Sequence, residues 1–165
     1  MRDNSNCVIA IMNKGLPSAI RPDASTRWGS GKTVRPDSLQ GIRVMVVDDA
    51  PDIAEEVAEA LEFAGATSLW VSDPLRAKEI LSDSAEDWSL LVTDLEMPEC
   101  SGLELAAFSA ALATPIPVIL ITGTGKPEHI KCSRLFSAVI RKPICADQLI
   151  WAVHEYNRLS ETKLY

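Results

Sequence analysis

Four apolar runs in this 165-residue sequence end on groups that could do chemistry together. Ile42-Arg43-Val44-Met45-Val46-Val47 runs into Asp48-Asp49, Leu90-Leu91-Val92-Thr93 into Asp94, Val118-Ile119-Leu120-Ile121 into Thr122, and Ala138-Val139-Ile140-Arg141 into Lys142. A short apolar run bounded by turn residues reads as a buried strand, and a terminal acid that cannot stay buried unpaired belongs at its tip. In an open α/β sheet that tip faces the crevice where ligands bind. Asp49 and Asp94 are 45 positions apart, which suits one strand-helix-strand-helix-strand passage and makes the two carboxylates neighbours. Acids so close repel unless a cation or protons intervene, and hard oxygen donors with room for water favour Mg²⁺ over zinc. Lys142 adds a fixed positive charge and Thr122 a rotating hydroxyl. That set suits a phosphoryl group on Asp94, because a carboxylate attacking phosphorus approaches a group already negative. The product would be an aspartyl phosphate.

Taken singly, each residue has a plain structural use. Asp94 could be a turn residue, Asp48 and Asp49 a helix-capping pair, Thr122 a strand-end threonine and Lys142 a surface lysine. Four strand ends carrying the right groups in the right order make coincidence a poor account.

The elements that position these groups follow from punctuation and period. Pro51 suits a first helical position, Ile53, Val57, Leu61 and Ala64 recur at helical spacing, and Gly65 stops the helix. Thr67-Ser68-Leu69-Trp70-Val71 is a weaker strand, and Asp73-Pro74 caps a helix through Leu75, Ile80 and Leu81. After Asp94, Pro98 limits the backbone and Ser101 offers an N-cap to a helix through Leu103, Ala106, Ala107 and Ala110. A short helix is expected from Pro127 to about Leu135, and a last one through Ala146, Leu149, Ile150 and Val153. Strands alternating with helices require right-handed crossovers and a parallel sheet covered on both faces. The expected fold is therefore α/β: a three-layer, doubly wound, five-stranded parallel sheet with five helices.

Composition excludes several classes. A hydrophobic fraction of 47% with mean hydropathy +0.07 is globular, and no apolar run approaches the ~20 residues needed to cross a bilayer. The Cys7-Val8-Ile9-Ala10-Ile11-Met12 patch is too short for a signal-peptide core. Cys7, Cys100, Cys132 and Cys145 form no CxxC pair, and His129 and His154 have no partner at metal-ligand spacing, so reduced thiols in a cytoplasmic protein are expected. Residues 1–40 hold six Lys or Arg against three Asp, whereas residues 41–165 hold ten against twenty acids. An acidic body argues against a direct nucleic-acid surface but not against a cation site. Residues 1–40, with Pro17, Pro22 and Pro36 and no sustained period, read as a disordered or loosely attached arm that contributes no core. Within it, Gly29-Ser30-Gly31-Lys32-Thr33 looks like the end of a phosphate-binding loop, but Thr26 stands where that motif needs glycine and no strand precedes it.

Val46-Val47-Asp48-Asp49, Thr93-Asp94-Leu95-Glu96-Met97-Pro98 with Gly102, Ile121-Thr122-Gly123 and Arg141-Lys142-Pro143 together resemble the receiver domain of two-component response regulators, of the stand-alone, chemotaxis-protein-like kind. The resemblance covers residues 41–159, leaving 160–165 as a tail. It implies the strand order 2-1-3-4-5. Asp94 resembles the phosphoacceptor, with Thr122 and Lys142 as the phosphoryl-sensing pair. Asp49, Asp94 and the Glu96 backbone carbonyl would hold Mg²⁺, with Asp48 assisting through water. Glu96 and Thr124 occupy positions that tune hydrolysis. The donor implied is a phosphohistidine on a sensor histidine kinase or histidine phosphotransfer protein, the output a contact with a downstream protein target. Such a phosphorelay receiver catalyses its own phosphorylation and can lose the group by its own hydrolysis, without being a turnover enzyme on small substrates. In this family kinase docking uses the first helix and the loop after the fifth strand, which points to residues 53–61 and Pro143. No membrane insertion is expected, and dimerisation through the last helix and strand is left open.

Two features depart from the family pattern. Val139 stands where an aromatic switch residue is usual, and only 20 positions separate Thr122 from Lys142, leaving a short, polar fourth helix. Val139 motivates one alternative, a receiver-fold binding module that is not phosphorylated. A phosphatase of the haloacid dehalogenase type also uses a strand-end Asp, but expects a second Asp where this chain has Glu96, and a cap domain for which the sequence offers no stretch.

Overall fold

The structure, a computed structural model, describes residues 9–11, 38–123 and 133–162. Six strands form one sheet: β1 (Ile9–Ile11), β2 (Arg43–Val47), β3 (Thr67–Val71), β4 (Leu90–Asp94), β5 (Val118–Thr122) and β6 (Ala138–Arg141), in the order β1-β6-β5-β4-β2-β3. β2 to β6 are mutually parallel, and counted alone they have the order 2-1-3-4-5. Four α-helices are described: α1 (Pro51–Phe63), α2 (Pro74–Ser84), α3 (Gly102–Ala110) and α4 (Ala146–Thr162).

Alternation along the strands divides the core into two layers. On one face Val44, Val46, Val92, Ile119, Ile121 and Ile140 pack against α1 and α4. On the other, Met45, Val47, Leu91, Leu120 and Val139 pack against α2 and α3. A parallel sheet covered on both faces needs apolar residues at successive positions, which is why β4 and β5 are buried throughout. Burying each such Leu, Ile or Val stabilises the fold by about 1.5–3 kcal/mol. β3, at the open edge, keeps Leu69 and Trp70 partly exposed.

The helix ends carry the expected signals. Pro51 opens α1, which buries Ala54, Val57, Ala58 and Leu61, and Gly65 ends the turn after it at φ +96°, a conformation costly for other residues. The Asp73 side chain accepts the N–H groups of Leu75 and Arg76 at the start of α2. Ser101 and Glu104 form a reciprocal capping box at the start of α3.

The structure differs from the sequence reading in three places. Ile9–Ile11, assigned to an arm without strand period, pairs antiparallel with β6 as a sixth strand. Leu39, also left in the arm, is fully buried under α1, its N–H donating to the Ala64 carbonyl at 2.8 Å. A turn over residues 38–41, closed by the Ile42 N–H on the Leu39 carbonyl at 3.1 Å, sets this leucine against the end of α1, a partner distant in sequence. Third, β6 stops at Arg141, so Lys142 follows the strand, and its peptide bond to Pro143 is cis. Most of the expected fourth helix, with His129 and Cys132, lies outside the described residues, and Ser133–Leu135 forms a 3-10 turn. Cys7, the Gly29–Thr33 stretch and Thr124 also lie outside them.

Candidate functional site

The site is built where β2, β4, β5 and β6 end on the same side of the sheet. Asp94, the last residue of β4, is only 7% exposed. Its Oδ2 accepts the Glu96 N–H at 2.9 Å, and its backbone carbonyl accepts the Thr93 hydroxyl at 3.0 Å. Asp48, just past β2 and 4% exposed, accepts the Ala50 N–H on Oδ1 at 3.0 Å, an Asx turn that leads the chain into α1. Both remaining carboxylate oxygens face one ammonium. Lys142 Nζ lies 2.7 Å from Asp94 Oδ1 and 3.0 Å from Asp48 Oδ2. Thr122, buried at the end of β5, accepts the Lys142 backbone N–H on its carbonyl at 2.9 Å, which fixes where the lysine leaves the sheet.

The turn from Asp94 into α3 is tight. Cys100 N–H donates to the Pro98 carbonyl at 2.6 Å across Glu99, whose φ of +63° makes this a strained three-residue turn. Gly102 N–H then returns to the Leu95 carbonyl at 3.0 Å, and any Cβ at Gly102 would collide with the Asp94 carbonyl oxygen. The glycine is thus required by close approach of two backbones. Glu99 and Gly102 carry the shape of this turn, and only the Pro-x-x-Ser-Gly punctuation hinted at it in the sequence.

Burial would lower the Lys142 pKa, but hydrogen bonds to Asp94 and Asp48, and the charge of both carboxylates, outweigh it and hold the ammonium above its ordinary value. The lysine side chain stays 25% exposed, so the group can be reached from solvent.

The structure brings Asp94, Asp48 and Lys142 into direct contact. Asp49 is exposed beside them, with no hydrogen bond or ion pair to its carboxylate among the described residues. Among the described residues no three His, Cys, Asp or Glu side chains converge as a metal-binding group. Lys142 is what joins Asp48 to Asp94. The donor chemistry nevertheless fits a hard divalent cation. Three aspartates against one lysine leave two negative charges, and Asp49 is uncommitted. Val139 is fully buried in the core layer shared with α2 and α3, so the place of an aromatic switch is filled by a small apolar side chain.

No helix among the described residues is long and apolar enough to cross a membrane. Comparison with known proteins agrees with this architecture. The family model described as "Response regulator receiver domain" matches residues 44–154, more than half of the chain. The C4-dicarboxylate transport transcriptional regulatory protein DctD of Rhizobium meliloti is 33% identical over 110 residues, covering 65% of this chain and 23% of that protein. The phosphate regulon transcriptional regulatory protein PhoB of Pseudomonas aeruginosa is 33% identical over 93 residues, covering 55% of this chain and 40% of that protein. This chain therefore spans less than half the length of either relative. A solved response regulator receiver domain protein from Clostridium thermocellum superposes with TM-score 0.65 at 25% identity, covering 74% of this chain and 98% of that one. By its strand order, its matched residues and these likenesses, the chain belongs to the response regulator receiver domain family.

Proposed function

We propose that this protein is a phosphoacceptor of a two-component phosphorelay, taking a phosphoryl group from a phosphohistidine onto Asp94 and signalling by contact with another protein. The observation that carries the reading is the Lys142 ammonium held 2.7 Å from Asp94 Oδ1 and 3.0 Å from Asp48 Oδ2 at the mouth of a parallel sheet. A positive charge fixed against one particular carboxylate oxygen serves a group that becomes more negative there.

In the transfer an Asp94 carboxylate oxygen attacks phosphorus as the phosphorus–nitrogen bond of the donor breaks. An oxygen–phosphorus bond forms, and the leaving imidazole nitrogen keeps the electron pair. Lys142 stays beside the transferred oxygens and offsets their charge, and the Glu96 N–H on Oδ2 keeps the carboxylate oriented. Thr122, at the adjacent strand end, offers its hydroxyl to a phosphoryl oxygen. Mg²⁺, held by Asp49, Asp94 and the Glu96 carbonyl with Asp48 acting through water, would neutralise the remaining charge on the phosphoryl oxygens.

A sensor histidine kinase or histidine phosphotransfer protein would approach through α1 and the turn at Pro143. Val57 and Leu61 face the core, so the part of α1 open to such a partner is its Asp52, Glu55, Glu56 and Glu59 side. Phosphorylation acts on output only if the target distinguishes two conformations of this domain.

Intact-protein mass spectrometry with acetyl phosphate and Mg²⁺, repeated with a phosphohistidine donor, tests the reading. A base-labile phosphoryl adduct on the wild type, absent from Asp94→Asn, supports it. No adduct from either donor refutes it and favours the second reading, a receiver-fold binding module, for which the fully buried Val139, standing where an aromatic switch is usual, is the supporting observation.

A further inference from the structure

Among the described residues β3 is the open edge of the sheet, pairing only with β2. In a parallel ladder the N–H and C=O of one residue point to the same neighbour, and successive residues alternate sides. The Thr67 N–H donates to the Ile42 carbonyl at 2.9 Å and the Val71 carbonyl accepts the Asp48 N–H at 3.4 Å, so Thr67, Leu69 and Val71 serve β2. Ser68 and Trp70 therefore turn their N–H and C=O groups outward. Natural edges are commonly blunted by lysine, proline, a bulge or a very short strand. β3 uses none of these devices. It is five residues long, its register with β2 is unbroken, and Leu69 and Trp70 stay 40% and 38% exposed.

The surface beside this edge is charged. Ser68 and Trp70 face α1, where the Ser68 hydroxyl donates to Glu62 Oε1 at 2.8 Å. Because α1 runs antiparallel to β3, Glu59 and Glu55, one and two turns before Glu62, continue a row of exposed carboxylates toward Trp70. α1 contains no Lys or Arg, and Glu55 and Glu59 have no hydrogen bond or ion pair among the described residues.

We propose that the β3 edge takes up an extended segment of a partner protein in which basic residues alternate with apolar ones, added to the sheet as a further strand. Its backbone pairs with the outward groups of Ser68 and Trp70. Its Lys or Arg side chains rise on the α1 face to Glu55, Glu59 and Glu62, while the alternate apolar ones cover Leu69 on the other face. The same row of glutamates selects against a second copy of this chain. Antiparallel pairing of β3 with itself about a two-fold axis would set two such rows side by side. The surface is independent of whether Asp94 accepts a phosphoryl group.

The test titrates the isotopically labelled full chain, without phosphodonor, with the peptide acetyl-Lys-Val-Arg-Val-Lys-Val-Arg-amide and reads amide exchange residue by residue by NMR. At saturating peptide the Ser68 and Trp70 amides are expected to exchange about tenfold or more slowly than in the free protein, with Leu69, already bonded to β2, unchanged. The same peptide N-methylated at every residue is expected to give no protection. Glu55→Lys/Glu59→Lys weakens binding by about tenfold, and added salt weakens it in the wild type. Trp70→Pro, which removes an outward N–H and leaves the β2 ladder in place, abolishes it. If that variant fails to fold by circular dichroism, Trp70→Lys, which puts a repelling charge on the edge, takes its place. Ser68 and Trp70 amides left unprotected at millimolar peptide overturn the proposal. So does equal protection by acetyl-Glu-Val-Glu-Val-Glu-Val-Glu-amide, or protection in the wild type alone that grows with protein concentration, which would make a second copy the occupant.

Discussion

Lys142 Nζ lies 3.0 Å from Asp48 Oδ2, although the two residues are 94 positions apart in sequence and follow strands three places apart in the sheet. At ~4.8 Å per strand, the axes of β6 and β2 lie on the order of 14 Å apart, a gap that the lysine, the Asp48 side chain and the segments after the two strands close together. The lysine stem passes beside Gly123, and its ammonium also meets Asp94 Oδ1 at 2.7 Å. Lys142→Met would leave two buried carboxylates without their counter-charge. A loss of about 1–3 kcal/mol at neutral pH is expected in urea unfolding, below the full cost of breaking a wholly buried pair because part of the lysine is solvated. The deficit should shrink as pH falls and a carboxylate takes up a proton.

The pH dependence at the alkaline end has a definite sign. Lys142 holds its proton more tightly folded than unfolded, so its contribution is complete below its ordinary value of 10.5 and is lost as pH rises through the higher folded value. Chemical unfolding followed upward from pH 9 should show wild-type stability falling in that window, with a shallower fall in Lys142→Met. Equal slopes in the two proteins would sink this assignment.

Gly102→Ala places a methyl group against the Asp94 carbonyl, a backbone atom that cannot swing aside. Overpacking of this kind costs about 1–3 kcal/mol, and here it also displaces the residue proposed to accept phosphoryl. Both a lower Tm and slower adduct formation are expected. A drop in Tm with an unchanged adduct rate would mean that the strain is relieved on the α3 side alone.

Ser101→Ala removes half of the capping box at α3 while leaving the Asp94–Lys142 contact in place. A loss of about 1 kcal/mol is expected. The Ser101 backbone N–H and hydroxyl hold the Glu104 carboxyl below its usual range, so this part of the stability is present above the ordinary value of 4.5 and fades as pH falls through the lower folded one. Titration of Glu104 by NMR should move up toward the ordinary value in Ser101→Ala.

The parallel strands and the four helices were legible in the sequence because each is marked locally. Thr67–Val71 falls between Gly65 and Asp73-Pro74, and α3 is announced by Pro98 and Ser101. The strand ends that bring Asp48, Asp94, Thr122 and Lys142 to one rim follow from the same punctuation. What escaped depends on distant partners. Ile9–Ile11 is three residues long and becomes a strand only because the β6 edge is there to pair with it. Leu39 is buried by α1, which begins 12 residues later, and no local period marks it. That Lys142 would hold Asp48 through a direct bond, with Asp49 left outside, depended on which way each carboxylate turned after β2, and adjacent acids read alike in sequence.

The contact of Gly102 with the Asp94 carbonyl has a mechanical meaning. Backbone packed on backbone has no slack, and Gly102 N–H is also bonded to the Leu95 carbonyl. α3 is thereby a lever with its pivot against Asp94, so that a displacement of the β4 tip too small to break any hydrogen bond would tilt the far end of the helix, near Ala110, by a larger amount.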